Sequence, residues 1–152
     1  MIIRNSAKAV IVKNDKILAL KMHENNNTYY ILPGGGQEHG ENLHQALKRE
    51  CQEEIGADVE IGELIFVREY IGKNHELAAY HAHAHQMEFM FLCHVYQDTF
   101  DNGNNPDKGQ TGAEWIPIKD LLEYKLFPQA LRSHLISYFD SGKATTYLGD
   151  IN

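Results

Sequence analysis

Gly35 to Ala57 reads GGQEHGENLHQALKRECQEEIGA. A glycine loop runs here into a segment with helical character. Placed on a wheel at ~100° per residue, Leu43, Leu47, Cys51 and Ile55 form a slowly drifting apolar stripe. Glu54 falls in the same sector, with Glu50 beside it and Glu53 on its margin. The three carboxylates span an arc of about 100°. Solvated glutamates belong on the opposite face, where Gln45, Lys48 and Gln52 lie. Three carboxylates crowded against an apolar face repel one another and call for a cation. The segment is therefore a candidate divalent-metal site. Arg49, four residues before Glu53, is placed to pair with it and hold its rotamer.

The spacing G-x5-E-x7-R-E-U-x-E-E-x-G-U, with U a bulky aliphatic residue, is matched at every fixed position by Gly35, Glu41, Arg49, Glu50, Glu53, Glu54 and Gly56. Cys51 and Ala57 depart from it only in size. In this the chain resembles the Nudix hydrolases. The likeness extends to the strand and Leu-Pro-Gly-Gly before the box, and to Glu114-Trp115-Ile116-Pro117 before a late helix. The resemblance implies an α/β fold, an α/β/α sandwich with a central mixed β-sheet. It implies hydrolysis of a nucleoside diphosphate linked to another group. It assigns Mg²⁺ or Mn²⁺ to Glu50, Glu53 and Glu54, helped by the backbone carbonyl of Gly34 or Gly35. It makes Arg49 the residue that orients the glutamates. Gly35, Glu41 and Gly56 become structural positions of the box, Glu41 anchoring loop to helix. The general base stays open between Glu53 and Asp107 of a later loop, with Glu114 just beyond it.

Carboxylate oxygens suit hard cations. Such ions would offset phosphate charge and lower the pKa of a bound water for attack on phosphorus.

Outward from the box, Ala7–Val12 and Ile17–Leu20 read as strands around a turn at Asn14-Asp15. Thr28–Leu32 is a β-prone run ending at Pro33, followed by a loop at Gly34–Gly36. The helix starts at Glu41 or Asn42 and ends at Gly56. Residues 58–71 read as extended, with an interruption at Gly62. Gln86–Tyr96 is a strand apolar on both faces and therefore central. Glu88 within it faces a cleft or pairs with Arg68. Residues 98–112 form a long polar loop. A short strand at 114–117, a helical turn at 118–123 and a closing helix from Pro128 to Phe139 follow. The tail from about residue 141 is weakly patterned and reads as loosely held.

His81, His83 and His85 alternate and would share one face of an extended segment. With Glu88 they are the candidate substrate contacts; a metal role for the histidines is the lesser reading. Tyr80 and Trp115 are candidates to stack on a base, though a lone aromatic more often packs.

A length of 152 residues suits one domain over 1–152. The N-terminus lacks a signal peptide, no apolar run approaches the ~20 residues of a membrane span, and Cys51 and Cys93 suggest no disulfide. A cytoplasmic protein is expected. A net charge of −7 argues against a nucleic-acid polymer as partner, and a small phosphorylated substrate remains open. A homodimer is compatible with the sequence. ADP-ribose, a sugar nucleotide, an oxidised nucleoside triphosphate and a dinucleoside polyphosphate all suit the box. Two other readings are a nucleotide-binding regulator that keeps the fold without turnover and a non-hydrolytic reaction on a diphosphate.

Overall fold

Two hairpin turns of Asx residues start the architecture. Asn14 and Asp15 have φ of 51° and 59°, and Asn25 and Asn26 have 49° and 62°. Left-handed conformations at both central residues match the right-handed twist of the flanking strands. They join β1 (Arg4–Lys13), β2 (Lys16–Glu24) and β3 (Asn27–Ile31). The computed structural model describes residues 1–143 and 145–152.

β1 pairs with β2 only at Val12↔Ile17 and Lys13↔Lys16, then separates from it. Its edge is taken instead by β4 (Gly34–Gly36), antiparallel, with Lys8 opposite Gly34. A strand of three glycines replaces the expected loop. A Cβ on Gly34 would lie 2.1 Å from the Ala7 carbonyl oxygen, so only glycine lies this close to β1. On its other edge β1 runs parallel to β6 (His85–His94) from Arg4 to Ile11. β6 is central, as its two apolar faces require, and its far edge takes β5 (Glu60–Ile71) antiparallel. The β5–β6 register shifts between Ile61 and Leu64, around Gly62. β2 pairs along its length with β7 (Gln110–Pro117), and β3 takes the short parallel β8 (Leu126–Phe127). The sheet is thus mixed and curled, opening where β1 and β2 part.

Helix α1 (Leu43–Ile55) covers one face and α3 (Leu131–Ser141) the other. Ala7, Ala9 and Ile11 meet Leu47, Cys51 and Ile55 of α1. Val10, Ile17 and Phe66 meet Leu131 and Leu135 of α3. Alternate residues of one strand feed two cores, giving the α/β/α sandwich. Among the described residues no helix is long and apolar enough to cross a membrane.

Several boundaries differ from the sequence reading. The closing helix begins at Leu131 rather than Pro128, because Phe127 still pairs with Ile31 in β8. β7 begins at Gln110 and shortens the long loop. The tail is not loosely held: β9 (Tyr147–Asp150) runs parallel to β5. Asp150 accepts from the Ile71 N–H at 2.9 Å and from Asn74 at 2.7 Å, and Tyr147 donates to Glu69. These are side-chain partnerships across about eighty positions, which local patterning does not show. The histidine stretch is not a strand before His85. Residues 78–81 form the helical turn α2 (Ala78–His81), so the three imidazoles do not share a face. His81 Nδ1 lies 3.0 Å from the Tyr70 hydroxyl, His85 pairs with Glu69 at 3.1 Å, and His83 is exposed.

Candidate active site

Helix α1 is closed at both ends. Asn42 accepts from the Gln45 N–H, and the Gln45 side chain accepts from the Asn42 N–H, both at 2.9 Å. This reciprocal capping box satisfies two donors that a helix start otherwise leaves open. At the other end Gly56, with φ of 62°, returns its N–H to Gln52, and the Ala57 N–H reaches Cys51. The carbonyls of Glu53 and Glu54 are taken by residues 103–110. The Gly103 N–H and Gln110 Nε2 donate to the Glu54 carbonyl at 3.0 and 2.7 Å, and the Asn105 N–H donates to that of Glu53 at 2.9 Å. Carbonyls with no partner inside the helix thus anchor the loop that carries Asp107. A Cβ on Gly103 would sit 2.3 Å from the Gln52 carbonyl oxygen, so the loop approaches this closely only with glycine there.

Arg49 organises the box. Its Nε and Nη2 donate to the two carboxylate oxygens of Glu41 at 2.6 and 3.1 Å, a bidentate pair. Nη2 also donates to the Gly36 carbonyl at 2.9 Å, and Nη1 reaches Glu50 at 3.0 Å and Glu53 at 3.4 Å. Glu41 in turn accepts from the Glu38 N–H at 3.0 Å. Helix, glycine strand and intervening loop are thereby joined through one guanidinium. The hydrogen bond from Arg49 is the main cause that lowers the Glu41 pKa. Gly35 lets the Glu50 carboxylate close on β4: a Cβ there would fall 2.5 Å from its carboxyl carbon.

Glu54 is fully buried. Its Oε1 accepts from the Gly34 N–H at 2.7 Å, and among the described residues its Oε2 has no hydrogen-bond partner. Burial pushes its pKa up to about 9, against the opposing effects of Lys8 and the Gly34 N–H and with added repulsion from Asp107. Glu50 is likewise raised, first by burial, although Arg49 opposes. Lys8 Nζ donates to the Gly34 carbonyl at 3.1 Å. Two carboxyls that resist ionisation, one with an orphaned oxygen, fit a hard divalent cation well. Among the described residues the three glutamates are not drawn into a single ligand cluster. Glu50 and Glu53 lean on Arg49 instead, and the Gly34 carbonyl on Lys8.

This carries a pH consequence. A folded-state pKa above the ordinary 4.5 means that folding favours the protonated Glu54. That contribution is complete below pH 4.5 and is lost as pH rises through about 9. Metal-free protein should therefore lose melting temperature over that window more steeply than Glu54→Gln does. Added Mg²⁺ should raise the wild-type melting temperature more at pH 8.5 than at pH 5.5. Parallel curves for wild type and variant by scanning calorimetry would refute this.

The glycine strand, the capped helix and its ordered carboxylates lie within one recognisable unit. A sequence profile described as the NUDIX domain matches residues 3–135. The chain belongs to the Nudix family. No curated protein matches it in sequence. Among solved structures, a NUDIX hydrolase from Nitrosomonas europaea superposes with a TM-score of 0.73 at 23% identity, covering 95% of this chain and 93% of that one. The MutT NUDIX hydrolase from Burkholderia pseudomallei gives 0.68 at 23%, covering 87% and 96%. An ADP-ribose pyrophosphatase from Streptococcus suis gives 0.64 at 20%, covering 97% and 98%. Residues 35–57 are thus the Nudix box of a Nudix hydrolase.

The remaining candidates are dispersed around the box. Asp107 lies close enough to Glu54 and Glu50 to raise both. Its backbone is fixed by Gln110, whose side chain accepts from the Asp107 N–H at 3.1 Å. Glu114 has a buried Oε2 without a partner among the described residues. Glu88 is buried against Arg68 at 2.7 Å. Trp115 packs against Phe100 and donates to the Asp98 carbonyl at 2.7 Å, while Tyr80 is exposed on α2.

A cleft of about 560 Å³ is lined by Tyr29, Arg68, Tyr70, His81, Phe127 and Asn152 among others. Of the histidine stretch, only His81 reaches it. Lys8 and Gln110 carry roles the sequence reading does not assign. A lysine within the apolar run Ala7–Val12 is the one local signal for the first, and Gln110 has none. Arg68 pairs with Glu88 as the sequence suggests, but no local pattern marks its place in the cleft.

Proposed function

We propose that the protein hydrolyses a phosphoric anhydride bond in a small nucleoside diphosphate derivative, with Glu50, Glu53 and Glu54 holding Mg²⁺ or Mn²⁺. The observation that carries this reading is the buried Glu54 carboxyl, whose unpartnered Oε2 lies in a box that also holds Glu50 and Glu53. A bound cation would supply charge neutralisation of the diphosphate and a more acidic water. Arg49 holds Glu50 and Glu53 in fixed rotamers, which limits the reorganisation needed when substrate arrives. Lys8 adds positive charge beside β4, where the phosphates would lie.

Asp107 is the better proton acceptor for the attacking water. Glu53 is engaged by Arg49, which favours a fixed carboxylate over one that accepts a proton. Asp107 stands on a loop pinned to the α1 carbonyls, facing the same carboxylates. Asp107→Asn should lower kcat by about 10²-fold or more with little change in KM, and should flatten the acidic limb of the pH–rate profile. A near-normal kcat and an unchanged profile would return the role to Glu53.

The Streptococcus suis neighbour is an ADP-ribose pyrophosphatase, and this likeness supports a small nucleotide diphosphate as substrate class. A screen of ADP-ribose, sugar nucleotides, nucleoside triphosphates and dinucleoside polyphosphates, with Mg²⁺ and with Mn²⁺, tests this. Metal-dependent release of nucleotide or phosphate is expected from at least one. No turnover of any compound with either ion would sink the reading.

A further inference from the structure

We infer that Arg68 selects the base of the substrate, and that the cleft it lines takes a nucleoside whose base presents a carbonyl acceptor. This rests on the diphosphate reading and adds the nucleoside half of the substrate to it. Tyr29, Tyr70 and Phe127 give the cleft aromatic surfaces that suit a planar base, and about 560 Å³ is the size of a small-molecule site. The cleft adjoins the box. The loop whose Gln110 side chain donates to the Glu54 carbonyl at 2.7 Å also reaches the cleft wall: the Gly109 carbonyl accepts from the His23 N–H at 2.8 Å, and a Cβ on Gly109 would lie 2.8 Å from Cγ of Glu24, which lines the cleft. A diphosphate at the glutamates therefore has its nucleoside within reach of these rings.

Arg68 is a pre-set donor in that wall. It is only 7% exposed. Nε donates to Glu88 at 2.7 Å, Nη1 donates to the Ile151 carbonyl at 2.6 Å, and the guanidinium lies 5.6 Å from the Tyr70 ring centroid. Among the described residues no group accepts from Nη2. Guanidinium only donates. A carbonyl oxygen of guanine, uracil or cytosine answers Nη2, whereas adenine has no carbonyl and its amino group sets donor against donor. Glu88 thus acts as a positioning residue, its charge committed to Arg68. The other restraint, the Ile151 carbonyl, lies beyond the matched region that ends at residue 135. Selectivity is thereby tied to the C-terminal segment.

Binding of AMP, CMP, GMP and UMP to the intact protein, measured by calorimetry with Mg²⁺, tests the assignment without any bond to cleave. GMP, UMP and CMP should bind about tenfold or more tightly than AMP. Arg68→Lys keeps a charge opposite Glu88 and should bring the ratio close to one while a thermal melt shows the fold intact. AMP binding as well as the keto nucleotides, no binding of any, or a preference that survives in folded Arg68→Lys would each overturn it. The diphosphate reading fails separately, by absence of turnover in the substrate screen.

Discussion

Glu53→Gln and Glu54→Gln should each lose diphosphate hydrolysis by about 10³-fold, the several kcal/mol that a bound cation contributes to charge developing on phosphate. Both variants should fold. Glutamine preserves volume, and at position 54 it still offers an oxygen to the Gly34 N–H, now held at 2.7 Å by Glu54. The replaced carboxyl carries its proton up to about pH 9 in the metal-free protein, so a neutral amide there is no heavier a burden on the core. At position 53 the amide keeps an acceptor for Arg49, which lies 3.4 Å away. Steady-state rates with saturating Mg²⁺ and a far-ultraviolet melt on the same samples decide the matter. Full metal-dependent activity in both variants would remove these glutamates from the chemistry. Loss of fold would make the position structural.

Arg68→Ala should destabilise the protein by about 3–5 kcal/mol, because one partner of a buried ion pair is removed and the other stays. Arg68 and Glu88 keep side-chain exposures of only 8% and 9%. Burial alone would raise the Glu88 carboxyl, but Arg68, with help from Lys8, holds it below its ordinary value. Without the guanidinium, a carboxylate is stranded on the central strand β6, and the Ile151 carbonyl loses its donor at 2.6 Å. The double variant Arg68→Ala/Glu88→Ala should recover much of the loss, since no uncompensated charge is then left. Urea unfolding of the two single variants and the double variant measures the coupling. Additive losses would show that the pair does not act as a unit.

The legible part of the molecule is local and periodic. The α1 boundaries, the Asn14-Asp15 turn, the two-faced strand β6 and the intrusion of Glu54 into the apolar stripe all follow from residues within a few turns of each other. The spacing of the box carries the family resemblance, which the profile match over residues 3–135 bears out. The departures share a cause. Three glycines read as a loop because their intrinsic freedom is high, yet β1 supplies a partner edge that turns them into β4. Alternating histidines read as a strand face because period two is the only local cue. Residues 72–81 instead bend back, with the Gly72 N–H on the Ala84 carbonyl. The tail reads as free because its partners, Glu69, Ile71 and Asn74, lie more than seventy residues earlier.

Gly35 to Ala57 carries the family, the fold class and the carboxylates, because helix periodicity and ligand chemistry are both written at short range. Which carboxyl is buried without a partner, which loop supplies Asp107, and which cation faces the cleft depend on contacts between distant strands. Glu54 resists ionisation because β4 and the loop before β7 close over it. Arg68 is held as a donor because Glu88 and Ile151 reach it from a neighbouring strand and from the far end of the chain. Burial and pairing of charge arise only when those elements meet, and they turn a legible motif into a particular site.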